Sequence, residues 1–205
     1  MTVRSSEPEP IGPMGITERL IIRQLTPEDA GFALRLLNTP SYLAFIGDKG
    51  VRDLAQAAAY LQDGPLRSYR EHGHGLCRVA LRDSGLPIGM CGLLKRDCFQ
   101  EADLGYAFLP EHTGQGYARE ACRAVLDHGE RVLGLRTVIA IVNPANGRST
   151  TLLERLGFAR AGMVTLPPPH APEPVALYRR TRPEAQGLSA NPSSRFGVRG
   201  SSQGS

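Results

Sequence analysis

The chain has 205 residues, 41% of them hydrophobic and 21% charged, enough apolar content for one domain with a buried core. Its net charge is +4, of which residues 182–205 carry +2 and residues 1–15 carry −1. The remaining +3 accommodates an anionic ligand and excludes the broad basic footprint of a nucleic-acid binder.

Residues 1–15 (MTVRSSEPEPIGPMG) are rich in Pro, Glu and Ser, and residues 182–205 in Gly, Ser, Pro and Arg. Neither stretch buries enough apolar surface to offset its ordering entropy. The expectation is a mobile N-terminal segment over 1–15, one folded domain over 16–181 and a disordered tail over 182–205. There is no signal-peptide pattern and no membrane-length apolar run, so a cytoplasmic protein with no membrane partner is expected.

RLIIRQL, residues 19–25, is a short β-type run. In the following TPEDAGFALRLLN, Thr26 is placed to cap a helix, with Pro27 at its first position and Glu28 and Asp29 at its positive end. A second helical region runs from 51 to about 73, with Leu54, Ala58 and Leu61 on one face and a break at Asp63-Gly64-Pro65. Residues 75–94 alternate around the turn Asp83-Ser84-Gly85 and predict a β-hairpin. ADLGYAFL, 102–109, is a third strand. A loop with Gly114 and Gly116 then leads into a helix from Tyr117 that Gly134 stops. RTVIAIVN predicts a strand, NPANGRSTTLLERLGF a turn and a short helix, and ARAGMVTL and EPVALYRR two closing strands around a Pro-rich turn. This order gives a mixed α/β sheet rather than an alternating βαβ array.

The cysteines at 77, 91, 98 and 122 form no CxxC pair, and no His stands at zinc-ligand spacing from them. Cys77 and Cys91 sit in apolar runs, so reduced core thiols and no metal site are expected. His72-Gly73-His74 is either a metal pair or a loop lead-in.

Two glycines between a strand and a helix let backbone amides approach an anion at the helix N-terminus. A dinucleotide in a Rossmann unit fits poorly, because Arg119 stands where the third glycine of GxGxxG belongs. A P-loop is excluded, since no Gly-Lys-Ser/Thr follows. The pyrophosphate of coenzyme A needs the same physics.

Three ordered segments carry a resemblance. Residues 105–121, GYAFLPEHTGQGYAREA, match the glycines of motif A of the GNAT acetyltransferases, with Glu111 in the place of its Arg or Gln. In this they resemble the branch of ribosomal-protein N-terminal acetyltransferases. Residues 16–23, ITERLIIR, resemble that branch's opening, and Asn146, Ser149 and 153–158, LERLGF, its C-terminal signature.

The resemblance covers about 16–165. It implies a GNAT fold: a mixed central sheet of about seven mostly antiparallel strands flanked by about four helices. It implies acetyl-CoA as co-substrate, with no metal. The amides of Gly114, Gln115, Gly116, Tyr117 and Ala118 would meet the pyrophosphate. Phe108 and Leu109 would pair with the pantetheine arm in a slot between splayed strands, near Asn143 and Asn146. Asn146 caps the short helix, contacts ligand, or does both. The amine must lose a proton, and Asp103 or Glu101, on one strand face, is the candidate base. The position of the thiolate-protonating Tyr of many relatives is Leu153, and Ser149 takes that role by resemblance; otherwise it bonds backbone. His112, Arg119, Arg123 and Arg148 either meet ligand or face solvent, and Lys95-Arg96-Asp97 either lines the acceptor site or is a charged turn. The acceptor is an amine of a small molecule or a protein N-terminus, with segment 38–75 beside it. A non-catalytic acyl-CoA-binding or regulatory module is the alternative, and a homodimer is left open.

Overall fold

A computed structural model describes residues 14–167 and 173–182. The predicted mobile segment up to residue 13, the tail from 183 and residues 168–172 of the Pro-rich turn lie outside the described residues. β1 (Gly15–Ile16) and β2 (Leu20–Gln24) open the fold. Next come α1 (Ala30–Leu37), α2 (Pro40–Phe45), α3 (Leu54–Leu61) and α4 (Arg67–His72). β3 (Leu76–Leu81), β4 (Pro87–Leu94) and β5 (Ala102–Phe108) form the predicted meander. α5 (Tyr117–Arg131), β6 (Thr137–Val142), α6 (Gly147–Arg155), β7 (Ala159–Val164) and β8 (Val175–Thr181) complete it. One eight-stranded sheet results, in the order β1-β2-β3-β4-β5-β6-β8-β7. Every pairing is antiparallel except β5 with β6.

The sheet carries one strand more than expected, the two-residue β1, and the described residues hold six α-helical stretches rather than four. α2 is one addition: Pro40 occupies its first turn and the Thr39 side chain accepts from the Tyr42 amide at 3.4 Å. The break expected at Asp63-Gly64-Pro65 is instead a π-helical turn, Gln62–Leu66, that joins α3 to α4. Pro65 has no N–H, and its ring would clash with the carbonyl four residues back in α register. The wider turn relieves both problems.

Apolar side chains gather on both faces of the sheet. One cluster, including Ile22, Val79, Leu104, Val125 and Leu153, lies under α5 and α6. The other, including Leu36, Leu61, Met90 and Leu109, lies under α1 to α3. Cys77 and Cys91 are fully buried thiols, as their apolar runs predict, and Cys98 is exposed. No helix among the described residues is long and apolar enough to cross a membrane.

The start of α1 is tied to the sheet by a buried carboxylate. Asp29 accepts from both terminal nitrogens of Arg23, at 2.8 and 2.9 Å, and from the Thr26 amide at 2.9 Å. Arg78 Nε stands 3.5 Å away. Removing one member of such a buried set strands the others' charge. Asp29→Ala is therefore expected to destabilise the fold by about 3 kcal/mol, seen as a lower urea midpoint at unchanged slope. A midpoint within error of the parent's would mean that the two arginines find equal partners in water.

The site depends on one irregularity. β6 pairs with β8 over six residues, but with β5 only at Ala102↔Val138 and Asp103↔Ile139. Beyond Asp103 the two strands separate.

Candidate active site

β5 supplies the first wall of the opening. The Leu109 amide donates to the Ile88 carbonyl at 2.9 Å. Antiparallel hydrogen-bonded pairs alternate, so the residues bonded toward β4 are 109, 107, 105 and 103. The amides and carbonyls of Leu104, Tyr106 and Phe108 therefore turn toward the gap left by β6. Phe108 is placed as the sequence reading expects. Leu109 is not: its amide is taken by Ile88, its carbonyl accepts from the His112 amide at 3.0 Å, and its side chain is buried under α1 to α3. Strand parity makes this correction.

The glycine loop closes the end of the gap. Gly114 and Gly116 have φ of 77° and 84°, a region that L side chains enter only with strain. Gly116 precedes the first turn of α5, and its carbonyl accepts from the Glu120 amide at 3.1 Å. The amides of Tyr117, Ala118 and Arg119 are thus the unpaired donors of a fifteen-residue helix, at its positive end. Gln115 is exposed, and its side chain donates to the Glu111 carbonyl at 3.1 Å. Glu111 forms an ion pair with Arg35.

The chain's opening segment holds this loop. Thr17 Oγ1 donates to Glu120 at 2.6 Å, and the Arg19 amide and Nε donate to the same carboxylate at 3.0 and 2.7 Å. Arg19 Nη1 also donates to the Gln115 carbonyl at 3.0 Å, and its guanidinium lies 4.6 Å above the Tyr117 ring. Burial pushes the Glu120 carboxyl up, but the hydrogen bonds from Thr17 and Arg19 outweigh it and hold the group below its ordinary range. The sequence shows both segments as separate motifs; their contact is visible only in three dimensions.

The second wall follows β6. Asn143 Oδ1 accepts from the Ala145 amide at 2.9 Å, and Asn146 Oδ1 caps α6 by accepting from the Ser149 amide at 3.1 Å. Both asparagines still line the cleft, so capping and ligand contact are compatible. Ser149 Oγ shares a 2.6 Å hydrogen bond with the Tyr106 hydroxyl across the gap. Burial raises the Tyr106 phenol well above its ordinary value. Tyr106 is not singled out by the sequence, because nothing local pairs it with a serine 43 residues away.

Asp103 sits at the apex, the last β5 residue paired with β6. It is 1% exposed; Arg96 Nε donates to its Oδ2 at 2.6 Å, and its Oδ1 has no hydrogen-bond partner. Burial raises its carboxyl above the ordinary value, against the opposing pull of Arg96. Glu101 lies just before β5 and is ion-paired with Arg179 at 3.0 Å, outside the cleft lining. The two carboxylates read from the sequence as alternatives are thus in different surroundings.

One cleft of about 1600 Å³ joins these parts and extends beneath α2. His112, Arg119 and Arg148 line it as well, while Arg123 lies outside. His74 is held by the Leu93 carbonyl at 2.8 Å. No group of three metal-ligating side chains stands together among the described residues.

The family model for the acetyltransferase (GNAT) domain matches residues 19–159. An N-acetyltransferase of Bacillus subtilis, YoaA, which is itself uncharacterized, is 28% identical over 150 residues, covering 72% of this chain and 84% of its own. A solved acetyltransferase from Agrobacterium tumefaciens superposes with a TM-score of 0.67 at 29% identity, covering 82% of this chain and 94% of that one. A putative ribosomal-protein-serine acetyltransferase structure from Vibrio cholerae has the same TM-score at 20% identity, over 84% of this chain and 100% of that one, and so shares the fold. The α/β architecture with its splayed central strands, the glycine loop and these likenesses agree: the chain belongs to the GNAT family of acetyl-CoA-dependent N-acetyltransferases.

Proposed function

We propose that this protein transfers an acetyl group from acetyl-CoA to a primary amine, of a small molecule or a protein N-terminus, by direct attack in a ternary complex. The observation that carries the reading is the placement of two proton-handling groups on opposite faces of β5. Asp103 lies at the apex of the opening on one face, and Tyr106, bonded to Ser149, on the other.

Acetyl-CoA, when bound, supplies the thioester carbonyl carbon, to which the amine nitrogen bonds as the carbon–sulfur bond breaks. The amides at Gly114 to Ala118 suit its pyrophosphate, with Gln115 held by Arg19 and Glu111. The gap-facing backbone of Tyr106 and Phe108, with Asn143 and Asn146 opposite, suits the pantetheine arm. Asp103 takes the proton of the incoming ammonium: it borders the cleft, and burial makes it a stronger base than an exposed carboxylate. Ser149 Oγ gives its proton to the departing sulfur as it takes the proton of the Tyr106 phenol, which solvent then reprotonates, while Asp103 releases the amine's proton to solvent. Leu153, in the place of a tyrosine in many relatives, is the buried residue of α6, packed in the apolar cluster, and takes no part.

Ser149→Ala is expected to lower kcat by roughly 100-fold while leaving the dissociation constant for acetyl-CoA nearly unchanged. Tyr106→Phe should produce a similar loss, and the double variant should lose little more, because the two act as a unit. Stopped-flow turnover beside calorimetry separates the two quantities. Additive losses would break the relay apart, and acetyl-CoA binding without turnover of any amine by the parent would return the non-catalytic binding module.

A further inference from the structure

On the face of β5 that carries Asp103, the cleft is lined by two cations. Arg96 follows β4 and Lys49 follows α2; both border the cleft, as do Tyr42 and Tyr60. Arg96 spends Nε on Asp103, and its terminal nitrogens make no hydrogen bond among the described residues. Lys49 likewise has no hydrogen bond or ion pair among them. The two cations are close enough to act on each other: burial, then the charge of Arg96, pulls the Lys49 ammonium below its ordinary range, although the residue as a whole is exposed. The other carboxylate of the cleft lining, Glu173, belongs to the segment leading into β8.

This arrangement has two unfilled polar demands. The Asp103 carboxylate borders this face of the cleft and has no side-chain donor but Arg96 among the described residues, which makes it the place for an ammonium. Lys49 and the terminal nitrogens of Arg96 have no anion bonded to them among the described residues. We infer that the acceptor is a small zwitterionic amine, with a carboxylate or phosphate within a few bonds of the reacting nitrogen. The amine sits on Asp103 and the anion on Arg96 and Lys49. A polyamine is a poor fit, because its distal ammonium groups would meet two like charges in a partly desolvated cleft. An amine without an anion leaves Lys49 without an ion-pair partner among the described residues. The inference rests on the N-acetyltransferase reading above and narrows its acceptor.

The test is thiol release from acetyl-CoA by the full-length protein with matched amines. The pairs are amino acids against their amides and O-phosphoethanolamine against ethanolamine, with spermidine as the polycation. The anionic member of at least one pair is expected to have a kcat/KM higher by about tenfold to a hundredfold, the size of a charge-assisted pair. The two pairs distinguish carboxylate from phosphate. Lys49→Glu should reverse the order, raising KM for the anionic amine and lowering it for spermidine. Preference of the parent for amides, ethanolamine or spermidine overturns the acceptor assignment and leaves acetyl transfer standing. An equal shift of all acceptors in Lys49→Glu does the same. No acetylation of any amine, with acetyl-CoA still raising the melting temperature, overturns both.

Discussion

Gly116→Glu is expected to lose nearly all affinity for acetyl-CoA. At φ of 84° any side chain is strained, by about 1–2 kcal/mol. A Cβ there would also lie 3.3 Å from Arg19 Nη2. The new carboxylate would compete with Glu120 for Arg19, loosening the contact that fixes the loop. It would also put a negative charge at the positive end of α5, where the pyrophosphate belongs. Together these should raise the dissociation constant by more than about 100-fold. The parent at 100 times its dissociation constant gains about 2.7 kcal/mol from the ligand, and this thermal shift should vanish in the variant. Gly114→Ala is the comparison: its φ is 77°, but nothing lies within 4 Å of its Cβ. Strain alone, about 1 kcal/mol, should weaken binding there by no more than about tenfold. Equal affinities in the parent and Gly116→Glu would remove the loop from the binding site.

Asp103→Asn separates catalysis from stability. Loss of a positioned base lowers kcat/KM by about 10²–10⁴-fold, and the acidic limb of the pH profile should disappear with it. The effect on stability has the opposite sign. Burial holds the Asp103 carboxyl above its ordinary value of 3.8 even with Arg96 alongside. The folded protein therefore keeps this proton to higher pH than the unfolded chain does. Stability from this group is present at low pH, declines as pH rises from about 3.8 through the folded value, and stays reduced above it. Asparagine removes that slope and still accepts from Arg96 Nε. At pH 8 the variant should melt no lower than the parent, while at pH 4 the difference should favour the parent more. A variant that keeps the parental rate and acidic limb would disqualify Asp103 as the base. A large drop in melting temperature at pH 8 would show that the Arg96 pair outweighs the burial of the charge.

Periodicity is enough for the strands and for α5, since alternation and a 3.6-residue stripe are written locally. The glycine loop is legible because two glycines must take up its left-handed turns. Strand parity is not: the amide of Leu109 points to β4 only because β4 and β5 pair in one register, which no local pattern contains. The π turn at Pro65 reads locally as a stop, whereas the contacts that hold the helices on either side of it, α3 on α1 and the Tyr69 hydroxyl on the Leu25 amide, join residues distant in sequence. The Tyr106–Ser149 and Asp103–Arg96 pairs join residues whose separation in sequence hides them. Arg96 reads either as lining the acceptor site or as part of a charged turn, and which of the two holds depends on the strands on either side.

The two-rung junction between β5 and β6 also divides the molecule along its sequence. Everything on one side, β1 to β5, comes from residues before α5, and everything on the other, β6 to β8, from residues after it. The chain crosses that line once, through α5 and the turn at Gly134. Each half of the sheet is then a contiguous stretch of sequence whose strands pair mostly with near neighbours. The one strand pairing that joins the halves is the short parallel seam, and an apolar cluster and the Tyr106–Ser149 and Glu101–Arg179 pairs span them as well. The cleft is thus the part of the boundary between the two sequence halves where the sheet is left unpaired.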